Sequence, residues 1–437
     1  MKEKPAPLNF IWLFMIVAAT VTAAFTGKMA ALTTVSFEAT KSAVTLAISL
    51  VGAMALWLGI MKVAEEAGLM NTVARAIRPL MVRLFPGVPA DHPAMSAIIM
   101  NMAANMLGLG NAATPMGIRA MQELDRINPE KGRATDAMCL FLAINTSSVT
   151  ILPLGVITIR AAAGAASPAN IFFPTLVATV CSTAVAIAMS KVLAHTGGRR
   201  EAAAGAGVAA APASGEKPQD VAEKTQRGKP GRIGAAVMLC LLAAFVAAVV
   251  LKFARGGVPP VYSYRFLVSA TNWLMPLLLC MFLLTGFFRG VKVYETVTDG
   301  AKEGFNVAIR IIPFMVAIFV AIGMFRESGA MDILAWLTRP LTGLIGMPAE
   351  ALPMALLRPL SGSGAFGLMA ETVNKAPDSF LAYLVSTIQG STETTFYVLA
   401  VYFGAVGIRK TRYALPAALC ADAVGILAAV LICRVTF

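Results

Sequence analysis

Nine apolar runs, near residues 8–26, 42–64, 134–160, 170–194, 232–252, 265–288, 306–326, 378–404 and 413–435, fill most of this 437-residue sequence. A helix needs roughly 20 predominantly apolar residues to cross the hydrocarbon core of a bilayer. The runs are of that order or longer. Only 14% of the residues are charged and 58% are hydrophobic, whereas soluble domains average about 25% charged. A chain so balanced cannot be solvated as a globule. Its Ala, Leu, Met and Gly bias suits helices, whereas a barrel would need short segments of alternating polarity. The expectation is an all-α polytopic membrane protein with about nine transmembrane helices. Residues 1–26 combine a basic start with an apolar run that lacks a small-residue cleavage site, and read as a first span.

The formal charge is +13, but the basic residues cluster between apolar runs and no nucleic-acid-binding motif accompanies them. They read as cytoplasmic anchors of loops, so no nucleic-acid partner is expected. Six cysteines lie within or at the ends of apolar runs without C-x-x-C spacing, as small packing residues do. His92 and His195 each sit in a polar connection, so no metal site is expected. No G-x-S-x-G elbow, P-loop or H-E-x-x-H helix is present, and the Gly-rich strings at 108–111 and 361–367 lack a following Lys. A catalytic role is therefore not expected, nor any cofactor beyond a coupling ion, sodium or proton.

Residues 195–231 are Ala, Gly, Pro and charge without apolar periodicity, a flexible cytoplasmic linker between a first repeat (1–194) and a second (232–437). The repeat itself is written in the sequence. Glu66-Ala67-Gly68-Leu69-Met70 resembles Glu327-Ser328-Gly329-Ala330-Met331, and Arg78-Pro79-Leu80 recurs as Arg339-Pro340-Leu341; both pairs are 261 residues apart. Each motif opens a stretch, 69–85 or 330–345, with the periodicity of an interfacial amphipathic helix. Two apolar segments, 93–120 and 350–373, are broken by Gly, Asn, Ser and Pro and read as re-entrant helical hairpins. The span at 232–252 has no counterpart in the first half. That odd crossing would turn the second half over and give an inverted-topology repeat. With the N-terminus cytoplasmic, Arg75, Arg78, Arg126, Lys131, Arg133, Arg289, Lys292, Arg409, Lys410 and Arg412 fall inside. Lys28, Lys41, Arg160 and Lys375 fall outside, and Lys252, Arg255 and Arg265 run against the rule.

Non-helical backbone at membrane depth is tolerated only where it is buried in protein or lines a polar cavity. The first hairpin carries Asn101, Asn105, Asn111 and Thr114 around a Gly-rich tip, and the second carries Arg358, Ser361 and Ser363. The run at 134–160 is interrupted by Asn145-Thr146-Ser147-Ser148 with Pro153 beyond, and the run at 378–404 by Gln389, Ser391, Thr392, Glu393 and Thr394. These residues are the expected solute-binding set. The alternative is close helix packing in which Gly and Ala permit approach and Asn or Ser bridge helices. Glu393 stands out, because an acid within a span is costly and marks function by default; the other reading is an ion pair with Arg358.

The strings NMAANMLGLGNAATPMGIRAMQEL, LLRPLSGSGAFGLMAETV and IQGSTETTFYVLAVYFGAVGIRKTRYA resemble the spore maturation A and B proteins of the nucleoside-recognition, or Gate-domain, membrane family. The first string is A-like, the other two B-like, and the resemblance covers nearly the whole chain apart from the linker and the neighbouring span at 232–252. It implies kinship with concentrative nucleoside transporters, whose hairpins and broken helices bind nucleoside through Gln, Thr, Glu, Asn and Ser beside a coupling cation. Gln389, Thr392, Glu393, Asn145 and Ser147 match that chemistry. The expected function is secondary transport of a small polar solute across a bacterial inner membrane, with lipid and solute as partners and a homo-oligomer as one arrangement. The alternative is a non-transporting factor in spore maturation or the cell envelope.

Overall fold

The structure, a computed structural model, describes residues 7–147, 150–198 and 264–437, with scattered positions between 236 and 251. The span expected at 232–252 and the linker from 199 onward lie largely outside the described residues. No strand occurs among the described residues. The helices are α1 (Pro7–Thr26), α2 (Met29–Glu66), α3 (Leu69–Leu84), α4 (Pro93–Met106), α5 (Gly110–Arg126), α6 (Asp136–Thr146), α7 (Leu154–Ala162) and α8 (Phe172–Gly198). They continue with α9 (Tyr264–Phe288), α10 (Val293–Glu327), α11 (Ala330–Ile345), α12 (Leu352–Leu360), α13 (Gly362–Lys375), α14 (Phe380–Ser391), α15 (Thr395–Gly404) and α16 (Ala414–Thr436). Helix α8 runs to Gly198, past the boundary expected at 194.

The element order repeats as the sequence motifs do. A long helix (α2, α10) meets an amphipathic one (α3, α11) at a left-handed glycine, Gly68 at φ 72° and Gly329 at φ 88°. Only glycine adopts that conformation cheaply, which accounts for a glycine at both positions of the repeat. A helix–turn–helix pair follows (α4–α5, α12–α13), then a broken helix (α6–α7, α14–α15), then an unbroken one (α8, α16). Local chemistry fixes the starts. Thr135, Ser361 and Ser379 accept the N–H groups of Met138, Gly364 and Ala382 at 3.1–3.2 Å, satisfying donors that a helix N-terminus leaves free.

Three helices, Met29–Glu66, Pro168–His195 and Ala414–Thr436, are each long and apolar enough to cross a bilayer unaided. Among the described residues fewer unbroken spans are found than apolar runs, partly because the runs at 134–160 and 378–404 are each two short helices around a break.

Helices α2 and α10 form the axis of the molecule. Residue 59 lies by 297, 55 by 304, and 35 and 39 by 323, so the two run antiparallel. Glycines let the backbones touch: a Cβ at Gly59 would stand 2.6 Å from the Val297 carbonyl oxygen, and one at Gly304 2.6 Å from the Ala55 Cα. Small residues supply this closeness where lipid offers helices no hydrophobic drive to associate.

Contacts across the repeat sort the connections into two ends. At one, Arg289 donates to the Ala67 carbonyl and to Thr72; Arg409 N donates to Gly132 O at 2.8 Å, and Arg412 pairs with Asp136 at 2.7 Å. At the other, Lys28 donates to the Glu327 carbonyl at 3.1 Å, Ala166 N to Asp378 at 3.1 Å, and Tyr383 Oη to the Asn170 carbonyl at 3.4 Å. An apolar cluster of α3–α6 residues with Ile408, Tyr413 and Ala414 unifies the first end. A second cluster, with Ala169, Ala330, Met347, Ala382 and Cys433, unifies the other.

Gly304→Ala is expected to destabilise by about 1–3 kcal/mol, since backbone must give way. Gly52→Ala, on open space, is expected to be neutral or slightly stabilising. Thermal unfolding of both variants checks the pairing, and equal midpoints would contradict it.

Candidate functional site

Both broken helices open at the same place. Helix α6 ends at Thr146 and α7 begins at Leu154, while α14 ends at Ser391 and α15 begins at Thr395. Each break leaves backbone donors and acceptors that have lost their helical partners, and across the two halves they find one another. Glu393 N donates to Thr146 O at 2.9 Å. Thr146, Ser147, Ser391 and Thr392 are fully buried.

Each hairpin turn docks on the break of its own half. In the first half Ile151 N donates to Met106 O at 3.1 Å, and left-handed Gly108 (φ 72°) lies close to the Leu152 carbonyl. In the second, Gly362 lies against Thr394, where a Cβ would come within 2.6 Å of Oγ1. Arg358, at the end of α12 and 3% exposed, donates to the Thr392 carbonyl and to Thr394 Oγ1 at 3.4 Å. Its nearest approach to Glu393 is longer, 3.7 Å to Oε1. The guanidinium is thus chiefly a clamp on the broken backbone and secondarily an ion-pair partner.

Two polar clusters flank the junction. In the first, Asn105 Nδ2 donates to Asn145 Oδ1 at 3.0 Å, and Asn101 Nδ2 to the Ala113 carbonyl at 2.8 Å and to Tyr402 Oη at 3.3 Å. Asn145 Nδ2 turns back to the Phe141 carbonyl at 2.8 Å. Tyr402 comes from α15 of the other half, stacks on Phe141 at 5.8 Å, and fits because residue 117 is glycine: a Cβ there would overlap the phenol. In the second cluster, Thr395 donates to Asp422 Oδ2 at 2.6 Å; Asp422, in α16, is 2% exposed. Ser147 shares a hydrogen bond with Thr183 at 3.0 Å.

The expected site residues therefore divide. Asn101, Asn105, Asn145 and Thr146 gather on one side, and Arg358, Thr392, Glu393 and Thr394 on the other. Ser361 caps α13, Ser391 leans on its own helix at the Ile388 carbonyl, and Thr114 and Ser363 are half-buried in the hairpins. Gln389 Oε1 is buried without a partner. The Asn111 side chain and Ser148 lie outside the described residues. Tyr402, Thr395 and Asp422 were missed. Asp422 had a visible signal, an acid within the apolar run 413–435; Tyr402 had none, since an aromatic in a span is ordinary. A cavity of about 240 Å³ lies elsewhere, lined by Ile322, Arg326, Glu350, Lys375 and Ser379 at the far end of α13.

Glu393 is the exposed member of the junction, with 47% of its side chain uncovered. The arrangement offers a carboxylate, amides and hydroxyls for hydrogen bonding, beside the backbone groups of the two breaks. Among the described residues no group of three metal-binding side chains occurs.

These features define a helical, multi-pass membrane protein whose polar centre is built from interrupted helices. The Gate description, nucleoside recognition, matches residues 47–163 and 308–409, half of the chain, and the chain belongs to that family. The two matched stretches begin 261 residues apart, the offset of the internal repeat. The chain is 45% identical over 171 residues to spore maturation protein B of Bacillus subtilis (strain 168), covering 38% of this chain and 96% of that protein. It is 39% identical over 184 residues to spore maturation protein A of the same organism, covering 42% of this chain and 94% of that protein. This accords with one chain joining an A-like and a B-like part. Over 81 residues it is 33% identical to the inner membrane protein YjiG of Escherichia coli (strain K12), 18% of this chain and 53% of that protein. No solved structure matches it.

Tyr402→Phe removes one buried hydroxyl and is expected to cost about 0.6 kcal/mol, a typical membrane-protein hydrogen bond. Gly117→Ala displaces the whole ring and is expected to cost about 1–3 kcal/mol. Unfolding midpoints in the reverse order would contradict the placement of Tyr402.

Proposed function

We propose that this protein is a secondary transporter that moves a small polar solute of nucleoside type across the inner membrane by alternating access. The observation that carries the reading is the Glu393 N–Thr146 O hydrogen bond. It joins the breaks of two separate halves at one buried point, beside a half-exposed carboxylate. Parting the breaks toward one end or the other would expose Asn105, Asn145, Thr394 and Glu393 to a solute, and closing them would restore backbone pairing. The family description, nucleoside recognition, points to a solute with a heterocyclic amide edge and sugar hydroxyls, which amides and a carboxylate bind well.

The membrane arrangement belongs to the same proposal. The antiparallel α2–α10 pair is what a pseudo-twofold axis in the membrane plane would produce. On that axis α4–α5 enters from the end holding Arg126, Lys131, Arg133, Arg289 and Arg412, and α12–α13 from the end holding Lys28 and Lys375. Both would be re-entrant hairpins. The basic end is then cytoplasmic, the N-terminus lies on that side, and nine crossings divide into repeats 1–194 and 232–437 about a cytoplasmic linker. The names of the two Bacillus relatives favour a second reading, a spore-maturation factor that acts without transport.

In proteoliposomes, Glu393→Gln and Asn145→Ala are each expected to lower uptake of labelled uridine or adenosine roughly 10- to 100-fold, the equivalent of about 1.5–3 kcal/mol for a hydrogen bond involving a charged group. Unfolding midpoints should stay near wild type. Undiminished uptake in both variants would rule out this site, and no uptake by wild type would favour the second reading.

A further inference from the structure

Asp422 is the buried acid that the solute site does not use. It lies mid-way along α16, 2% exposed, with Oδ2 receiving the Thr395 hydroxyl at 2.6 Å and Oδ1 without a partner. An ionised carboxylate so enclosed would need more than one hydroxyl to replace its hydration. The nearby cation is already engaged. Arg358 holds the Thr392 carbonyl and Thr394 and approaches Glu393 at 3.7 Å, and its charge is shared electrostatically between two acids, Glu393 and Asp422, without a direct bond to the second. Glu393 is the solvated one and balances it. The dry acid is left over.

We propose that Asp422 is a proton-binding site that couples the broken-helix junction to a proton gradient. A proton from water on one side adds to Oδ1 as the breaks close, and the O–H bond gives it back to water on the other side when they reopen. The link is mechanical: Thr395, which donates to Asp422 Oδ2, is the first residue of α15, so parting the breaks carries that donor with it. Arg358 couples the two acids electrostatically.

The groups packed around Asp422 leave little else to take the role. Arg358 comes from α12 and Glu393 from the α14–α15 break. Helix α8 brings Ser182, which donates to the Ala421 carbonyl at 2.9 Å, and Ala186; α6 brings Ala143. Other titratable groups on the packed elements are engaged at the ends: Asp136 with Arg412 and Tyr413, Cys139 with the Thr411 carbonyl, Tyr383 with Thr436, and His195 with the Lys191 carbonyl. Tyr402 belongs to the asparagine cluster, Tyr397 and Asp332 are exposed, and Cys181 is half-buried on α8.

Presence of the proton rests on this packing; its use rests on the transport reading, and the experiment separates them. Infrared spectra of the full chain in lipid vesicles are expected to show a protonated-carboxyl C=O band that fades as pH rises. It should be lost in Asp422→Asn, retained in Glu393→Gln and shifted in Thr395→Val, which removes the hydrogen bond without removing the acid. A band insensitive to these changes, one that never titrates, or a carboxylate band that responds to sodium instead of pH would overturn the proposal. For the wild type, accumulation of uridine should collapse when a protonophore dissipates the gradient, and undiminished accumulation would equally overturn coupling. Should wild type move no uridine at all, the transport reading fails while the band still decides whether Asp422 binds a proton.

Discussion

A helix interrupted in the membrane leaves N–H and C=O groups that neither lipid nor the helix can satisfy. Here each half answers that problem with the other half, through the Glu393 N–Thr146 O hydrogen bond. Almost everything else in the molecule places or protects it. The antiparallel α2–α10 pair brings the halves together with opposite direction, the hairpin turns at Gly108 and Gly362 close over the breaks, and the Arg358 guanidinium takes the Thr392 carbonyl that remains.

Much of this was legible in the sequence because the physics of lipid restricts what a residue pattern can mean. Gly68 and Gly329 recur in register within the repeat, and both turn out to be left-handed. Asn145–Ser147 and Thr392–Thr394 announced the breaks, because polar residues and Pro153 within apolar runs cannot be ordinary span. What could not be read was the joining of the halves. Periodicity reports which face of a helix is apolar, not which distant residue it will meet, so Tyr402 reaching Asn101 across 301 positions was invisible. Arg358 was expected in the solute-binding set, with an ion pair to Glu393 as the alternative; that pair is present at 3.7 Å, and the guanidinium also holds the Thr392 carbonyl, a backbone contact that residue pattern does not report. Asp422 stands alone among apolar residues in the run 413–435, without the polar neighbours that mark the breaks. An acid on an unbroken helix deserves equal weight, since the cost of burying it is the same.

Charge is distributed along the same logic. The exposed connections carry most of the described Lys and Arg, while Arg160 and Arg358 are buried, and Arg358 lies near two acids of unlike surroundings. Glu393 stays open on one side, while Asp422 is enclosed. Opening and closing one pair of helix breaks would change the environment of both at once, which is how a single movement can serve solute binding and ion coupling together.

The central claim is that the two halves face opposite sides of the membrane with their breaks meeting between them. Cysteine accessibility measured from each side tests it most directly, in a protein freed of its six native cysteines. Glu130→Cys and Lys410→Cys, on joined connections of the two halves, should be labelled from one side only, and Ala166→Cys and Asn374→Cys from the other side only. Labelling of Glu130→Cys and Asn374→Cys, each next to the hairpin of its own half, from the same side would mean that the halves point the same way, and the account would fail.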